Sequence, residues 1–143
     1  MIQSRALLLD THAAIWLAEG QFSDEVFAHV VAAGLLDGVF VSPVSAWEIG
    51  LLSRPRSSGQ PAVTFKPDPQ TWFTTLLSQS IIREAPLTPK IAIDSSFLPG
   101  PFHSDPADRL LVATARNMNI PLLTRDQRIL DYSAAGHVET VPC

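Results

Sequence analysis

The sequence predicts an α/β fold in three layers, with a mainly parallel sheet covered by helices on both faces. Short apolar runs with strand character alternate with helix-length segments from one end of the chain to the other, the pattern of strand–helix–strand units. Ala6-Leu7-Leu8-Leu9 reads as a buried strand rather than a half-exposed one. Acidic residues recur where such runs stop or where helices begin: Asp10, Glu48, Asp105, Asp108 and Asp126. Open parallel sheets bind ligands beyond the carboxyl ends of their strands, and Asp10 and Asp126 fall at such ends.

Taken in order, residues 5–10 form the first strand, and Thr11 to Glu19 a helix closed by Gly20. Ser23-Asp24-Glu25 supplies a cap and first-turn acids for a helix running toward Gly38. Val39 to Ser42 is a β-rich run, and Pro43 opens a helix that carries Glu48 and ends near Leu52. Arg54 to Pro67 is rich in Ser, Pro, Gly and basic residues and reads as an exposed loop. Asp68-Pro69 starts a helix with Trp72, Phe73, Leu76 and Leu77 at helical spacing. Ile81 to Pro86 reads as a strand, and Thr88-Pro89 as a cap followed by proline at the first helical position. Leu98 to His103 is a loop, Pro106 to Asn117 a strong helix, Leu122-Leu123 a short strand, and Val138 to Val141 the last strand.

A length of 143 residues favours one domain, and a hydrophobic fraction of 46% is enough for a sizeable core. Charged residues make up only 17%, below the usual share, so some apolar surface is expected to meet a partner. The lone cysteine, Cys143, excludes an internal disulfide and a cysteine-based metal site. Near the start, Arg5 is followed by an apolar run that Asp10 ends too early for a signal-peptide core, and no stretch approaches membrane-spanning length. A cytoplasmic location is the expectation. The net charge of −4 argues against a simple basic nucleic-acid surface. Arg109, Arg116, Arg125 and Arg128 crowd the last two acidic motifs, either as functional cations or as solvated helix residues. Two divalent cations would bring the total from −4 to 0.

Each acid has a structural reading beside the functional one. Asp10 suits a helix N-cap, worth about 1 kcal/mol, yet Thr11 could cap equally well, which leaves Asp10 free for chemistry. Glu48 could lie on a solvated helix face, but Trp47, Ile49, Leu51 and Leu52 around it are apolar. Asp105-Pro-Ala-Asp108 suits the start of a helix, with a cap, proline at N1 and an acid at N3. Asp108, one turn inside, is the better catalytic candidate, and Asp105 is read as the cap. Asp126 could cap a helix from Gln127 to Tyr132. Several acids on one sheet edge are hard to explain as caps alone. If they share a pocket, their repulsion must be offset by a cation, and hard oxygen ligands favour Mg²⁺ or Mn²⁺. His12, His29, His103 and His137 have no metal-ligand spacing and are read as surface or packing residues. Ser42, Ser45 and Ser104 lack a nucleophile-elbow context, and the seven glycines form no phosphate loop.

Leu-Leu-Leu-Asp10-Thr-His, Ser-Ala-Trp-Glu48-Ile, Asp105-Pro-Ala-Asp108-Arg-Leu-Leu-Val-Ala-Thr-Ala and Leu-Leu-Thr-Arg-Asp126, in that order, resemble the PIN-domain ribonucleases, and most of all the VapC-type toxins of bacterial toxin–antitoxin systems. The resemblance covers nearly the whole chain. It implies a PIN-like, Rossmann-like fold, a Mg²⁺-dependent active site (Mn²⁺ being the other candidate ion) and endonucleolytic cleavage of RNA. Asp10 and Asp108 are then the direct metal ligands, with Glu48 and Asp126 completing the shell directly or through water, around one ion or two. Asp105 matches an acid found in some members only. The Arg54 to Pro67 stretch is longer and richer in proline than a minimal member carries. The resemblance also implies a homodimer and a small VapB-type antitoxin whose C-terminal segment covers the acids, with an arginine pairing to Asp10 or Asp108. Phe22, Phe27, Trp47 and Trp72 are the apolar side chains expected to be exposed for such contacts.

Rival readings fit less well. An aspartyl-phosphate hydrolase needs a second Asp two residues after Asp10, where His12 stands, and a receiver domain needs a late lysine, while the last here is Lys90. A non-catalytic RNA-binding or protein-interaction module predicts no metal affinity and has no need for four acids.

Overall fold

The computed structural model describes residues 6–143; Arg5, assigned above to the first strand, lies outside the described residues. The chain runs β1 (Leu7–Leu9), α1 (Thr11–Glu19), α2 (Asp24–Leu35), β2 (Val39–Val41), α3 (Pro43–Leu52), α4 (Pro69–Leu77), β3 (Ile82–Glu84), α5 (Pro89–Asp94), α6 (Pro106–Met118), β4 (Leu122–Thr124), α7 (Gln127–Ala134) and β5 (Thr140–Pro142). The five strands pair in the order β3-β2-β1-β4-β5, and every pairing is parallel. The last strand starts two residues later than the apolar run suggested. Val138 instead buries beneath α6 and α7, in a core with Leu111, Ile129 and Tyr132.

Side-chain alternation along β1 builds the three layers. Leu7 and Leu9 face a core formed with Ala13 and Ala14 of α1, Val30 of α2, and Phe73 and Leu76 of α4. Leu8 points the other way, to Leu111 and Val112 of α6 and Ile129 of α7. Leu8 and Leu9 are 0% exposed, so truncating either to Ala would cost about 2–5 kcal/mol. None of the described helices is long and apolar enough to cross a membrane. The segment expected to be an exposed loop after Arg54 is mostly that, with one correction. Phe65 is buried and meets Trp72 edge-on, 5.1 Å between ring centres, which pins the far end of the segment to α4.

The chain order reverses between β1 and β4. From β1 it steps outward to β2 and β3, and it later returns to the other side of β1 as β4 and β5. Such a reversal opens a crevice between neighbouring strand ends, because the following helices leave to opposite faces. Asp10 directly follows β1, and Asp126 follows β4 by one intervening residue, Arg125.

Candidate active site

Asp10, Glu48, Asp105, Asp108 and Asp126 line one cleft of about 330 Å³ at that crevice, with Thr11, His12, Trp16, Arg125 and Arg128 among its other walls. The acids arrive on four elements. Three helices point their N-termini inward, capped by Asp10 on α1, Asp105 on α6 and Asp126 on α7. The partial positive charge of a helix start lowers the cost of holding a carboxylate there. Glu48 instead projects from the middle of α3.

Asp10 is the cap of α1 after all, in place of Thr11. Its Oδ1 accepts from Ala13 N at 2.7 Å, and its Oδ2 accepts from the Thr124 hydroxyl. Thr11, freed from capping, donates its hydroxyl to Glu48 Oε1 and sits 3.0 Å from Ser45 Oγ. Asp126 Oδ1 accepts from the N–H groups of Arg128 at 2.9 Å and Ile129 at 3.4 Å. Asp105 Oδ1 accepts from Asp108 N at 3.2 Å, the capping role expected of it. The hydroxyls of Thr11 and Thr124 were not anticipated as site residues, although each stands within two positions of an acid in the sequence.

Crowding shapes the ionisation of these groups. Burial raises Asp10, against the bonds from Thr124 and Ala13 that favour its charge. Burial likewise raises Glu48, aided by the charges of Asp105 and Asp10 and opposed by Thr11. Asp108 is pushed up to about 7 by burial, then by the charges of Asp105, Asp126 and Glu48. Burial alone would raise Asp126 too, but Arg128 bonds to it through side chain and backbone, and the net result lies below the ordinary carboxylate value.

The cations divide two and two. Arg128 Nη2 lies 3.5 Å from Asp108 Oδ2 and 3.3 Å from Asp126 Oδ2. The Arg125 guanidinium carbon sits over the Trp16 ring, 3.7 Å from its centre, at the cleft wall. The other two are structural. Arg109 ties down the loop before α6 through the carbonyls of Ser95, Phe102 and His103, and Arg116 donates to the carbonyl of His137.

His103 packs as read, its ring centre 4.2 Å from that of Phe102, and it also reaches the site. Its Nε2 lies 3.2 Å from Asp108 Oδ2 but is buried without an aligned hydrogen-bond partner. Burial and then the Arg128 charge lower its pKa, so it stands neutral beside Asp108 at pH 7. The signal in the sequence was position alone, two residues before Asp105. His12 also lines the cleft. His137 packs as read, against Tyr132. Of the four aromatics expected on the surface, Phe27 and Trp47 are half exposed. Phe22 and Trp72 instead pack against the core beneath α1, α2 and α4.

Among the described residues, no three His, Cys, Asp or Glu side chains form a ready metal cage. The donor chemistry still suits Mg²⁺ or Mn²⁺, because all the acidic walls offer oxygen. Mg²⁺ commonly takes one or two carboxylates and keeps water elsewhere. The guanidinium of Arg128 resting on Asp108 and Asp126 marks where the cleft draws positive charge.

Residues 7–135 match the PIN domain family. Over 127 residues the chain is 30% identical to ribonuclease VapC22 of Mycobacterium tuberculosis, an alignment spanning 88% of this chain and 91% of that one. Among solved structures it is similar to VapBC2 of Rickettsia felis bound to a DNA fragment from its promoter, with a TM-score of 0.67 and 13% identity, covering 96% of this chain and 98% of that chain. It is also similar to FitAcB of Neisseria gonorrhoeae, with a TM-score of 0.57 and 20% identity over 94% and 95% of the two chains. At those identities the structural likeness is one of fold.

Proposed function

The chain belongs to the PIN-domain family and its VapC-type ribonucleases, and from that premise we propose that it is a Mg²⁺- or Mn²⁺-dependent endoribonuclease, the toxin of a type II toxin–antitoxin pair. The observation that carries the reading is the meeting of Asp10, Glu48, Asp105, Asp108 and Asp126 in one cleft. In this reading Asp10 and Asp108 hold the ion, Glu48 and Asp126 complete its surroundings directly or through water, and Asp105 caps α6. When bound, a divalent cation makes water a stronger nucleophile at neutral pH and offsets charge developing on phosphate oxygens.

The chain's own residues supply the arrangement. Thr124 and Ala13 orient Asp10, Thr11 orients Glu48, and the start of α7 orients Asp126. Among the described residues Asp108 accepts no hydroxyl or backbone donor, and the cations or donors beside it are Arg128 and His103. It is therefore the acid with most to gain from a cation. Arg125, held on Trp16, presents positive charge at the rim, where it can meet a substrate phosphate. A nuclease of this kind would meet cellular RNA in the cytoplasm, the location expected from the sequence.

A small VapB-type antitoxin is the partner this reading expects, in keeping with the likeness of fold to VapBC2 of Rickettsia felis. Self-association as a homodimer would cover the half-exposed Phe27 or Trp47. One observation favours the rival reading, a non-catalytic RNA-binding or protein-interaction module of the same fold: Arg128 already offsets two of the acids. Calorimetric titration with Mn²⁺ and cleavage of RNA in Mg²⁺ decide between them. Binding and cleavage that both vanish in Asp10→Asn support the nuclease; a wild-type protein that takes up no ion and cuts no RNA leaves the module.

A further inference from the structure

Beyond Glu48 the acidic cleft continues into a second depression of about 460 Å³, walled by Leu51, Leu52, Arg54, Pro55 and Arg56, with Glu48 shared between the two. The Arg54–Pro67 segment forms its far side and is held in place. Val63 N donates to Leu52 O at 2.8 Å and Gly59 N to Arg56 O at 3.0 Å. Arg56 Nη2 donates to Pro61 O at 3.1 Å, which fixes its guanidinium, and its Nε is buried without a partner.

Charge gives the depression its meaning. The cleft is acidic and repels the phosphates on either side of a bond to be cut. Within it, Arg128 is engaged by Asp108 and Asp126. Among the described residues Arg54 and Arg56 take part in no ion pair with a carboxylate, although the chain carries a net charge of −4. Two unneutralised guanidinium groups in an acidic protein, opening onto the wall that Glu48 shares with the cleft, suit a polyanion strand leaving that cleft. Guanidinium matches phosphate geometry with paired donors.

We propose that this depression is the groove for the single-stranded RNA backbone on one side of the scissile phosphodiester, with Arg54 and Arg56 contacting its phosphates. The assignment rests on the nuclease reading above and adds to it the direction in which the strand leaves the cleft.

The test measures the salt dependence of binding of a single-stranded RNA oligonucleotide in chelator, by fluorescence anisotropy, and its cleavage kinetics in Mg²⁺. Each phosphate contact adds about 0.7 to the slope of log affinity against log salt on single strands. Arg54→Ala, with Arg56→Ala, should lower that slope by about 1.4 and raise KM severalfold with kcat kept. A dinucleotide too short to reach the groove should be cut by both proteins with equal KM. Arg54 is exposed, so Arg54→Ala alone should fold and lower the slope by about 0.7, even if loss of Arg56 unsettles the segment. Wild-type slope and KM in an Arg54→Ala protein that still cuts RNA would overturn the groove alone. A wild-type protein that cuts no RNA would overturn the nuclease reading, and the groove with it.

Discussion

Arg128 places one guanidinium nitrogen 3.5 Å from Asp108 Oδ2 while also lying 3.3 Å from Asp126 Oδ2. It is a cation supplied by the chain at the point where the carboxylates crowd most. Any ion entering between Asp108 and Asp126 must therefore displace this contact or share the carboxylates with it. Arg128→Ala should bind Mn²⁺ a few-fold more tightly in calorimetric titration, since the competing charge is gone. Affinity unchanged or weakened would mean that Arg128 does not compete for the ion's place.

The same crowding makes Asp108 sensitive to pH. Its folded pKa of about 7, against 3.8 for the free side chain, means that the folded protein holds the proton more tightly than the unfolded chain does. Below 3.8 the group is protonated in both states and costs nothing; the cost grows as pH rises and is complete above about 7. That interval corresponds to about 4 kcal/mol, which solvent reaching the open cleft reduces to about 2. Asp108→Asn should thus melt well above wild type at pH 8 in chelator and match it near pH 4. Equal melting at both pH values would show that Asp108 is not under electrostatic stress.

Much of this was legible in the sequence because apolar runs and caps are local signals. Three leucines before Asp10, and Asp-Pro-x-Asp before an apolar helix, mark a buried strand end and a helix start wherever they occur. What escaped was set by packing across the fold. Thr11 as a partner of Glu48 depends on α1 meeting α3, 37 residues apart, and no spacing rule reaches that far. His103 meets Asp108 across a loop whose carbonyls Arg109 holds. Trp72 looked exposed beside a polar loop, yet Phe65 at the end of that loop covers it.

The Thr11 hydroxyl and Glu48 give a direct measure of how far orientation matters. Thr11→Val keeps the shape and removes the donor. Glu48, already raised by burial, then loses a bond to its charged form, which costs about 1.5–3 kcal/mol for a hydrogen bond to a charged group. Thermal melting in chelator should fall accordingly at pH 8, and RNA cleavage should drop about tenfold, as expected when a positioned group loses about 1.4 kcal/mol of transition-state stabilisation. In a Glu48→Ala background the Thr11→Val change should add little, because the acceptor of the Thr11 hydroxyl is already gone. Full additivity of the two losses would separate Thr11 from Glu48.

Asp10 does two things at once, and two substitutions pull them apart. Its Oδ1 caps α1 and its Oδ2 receives Thr124. Asparagine caps helices as well as aspartate does, so Asp10→Asn should keep α1 while losing the charge and the acceptor for the Thr124 hydroxyl. With fewer like charges in the cleft, its melting temperature in chelator should equal or exceed that of wild type, while metal-dependent cleavage is abolished. Asp10→Ala removes the cap as well, at about 1 kcal/mol, and should melt lower than Asp10→Asn while being equally inactive. A cap-only role for Asp10 predicts the opposite ranking of activities, with Asp10→Asn cutting RNA at the wild-type rate and Asp10→Ala impaired in proportion to its lost stability.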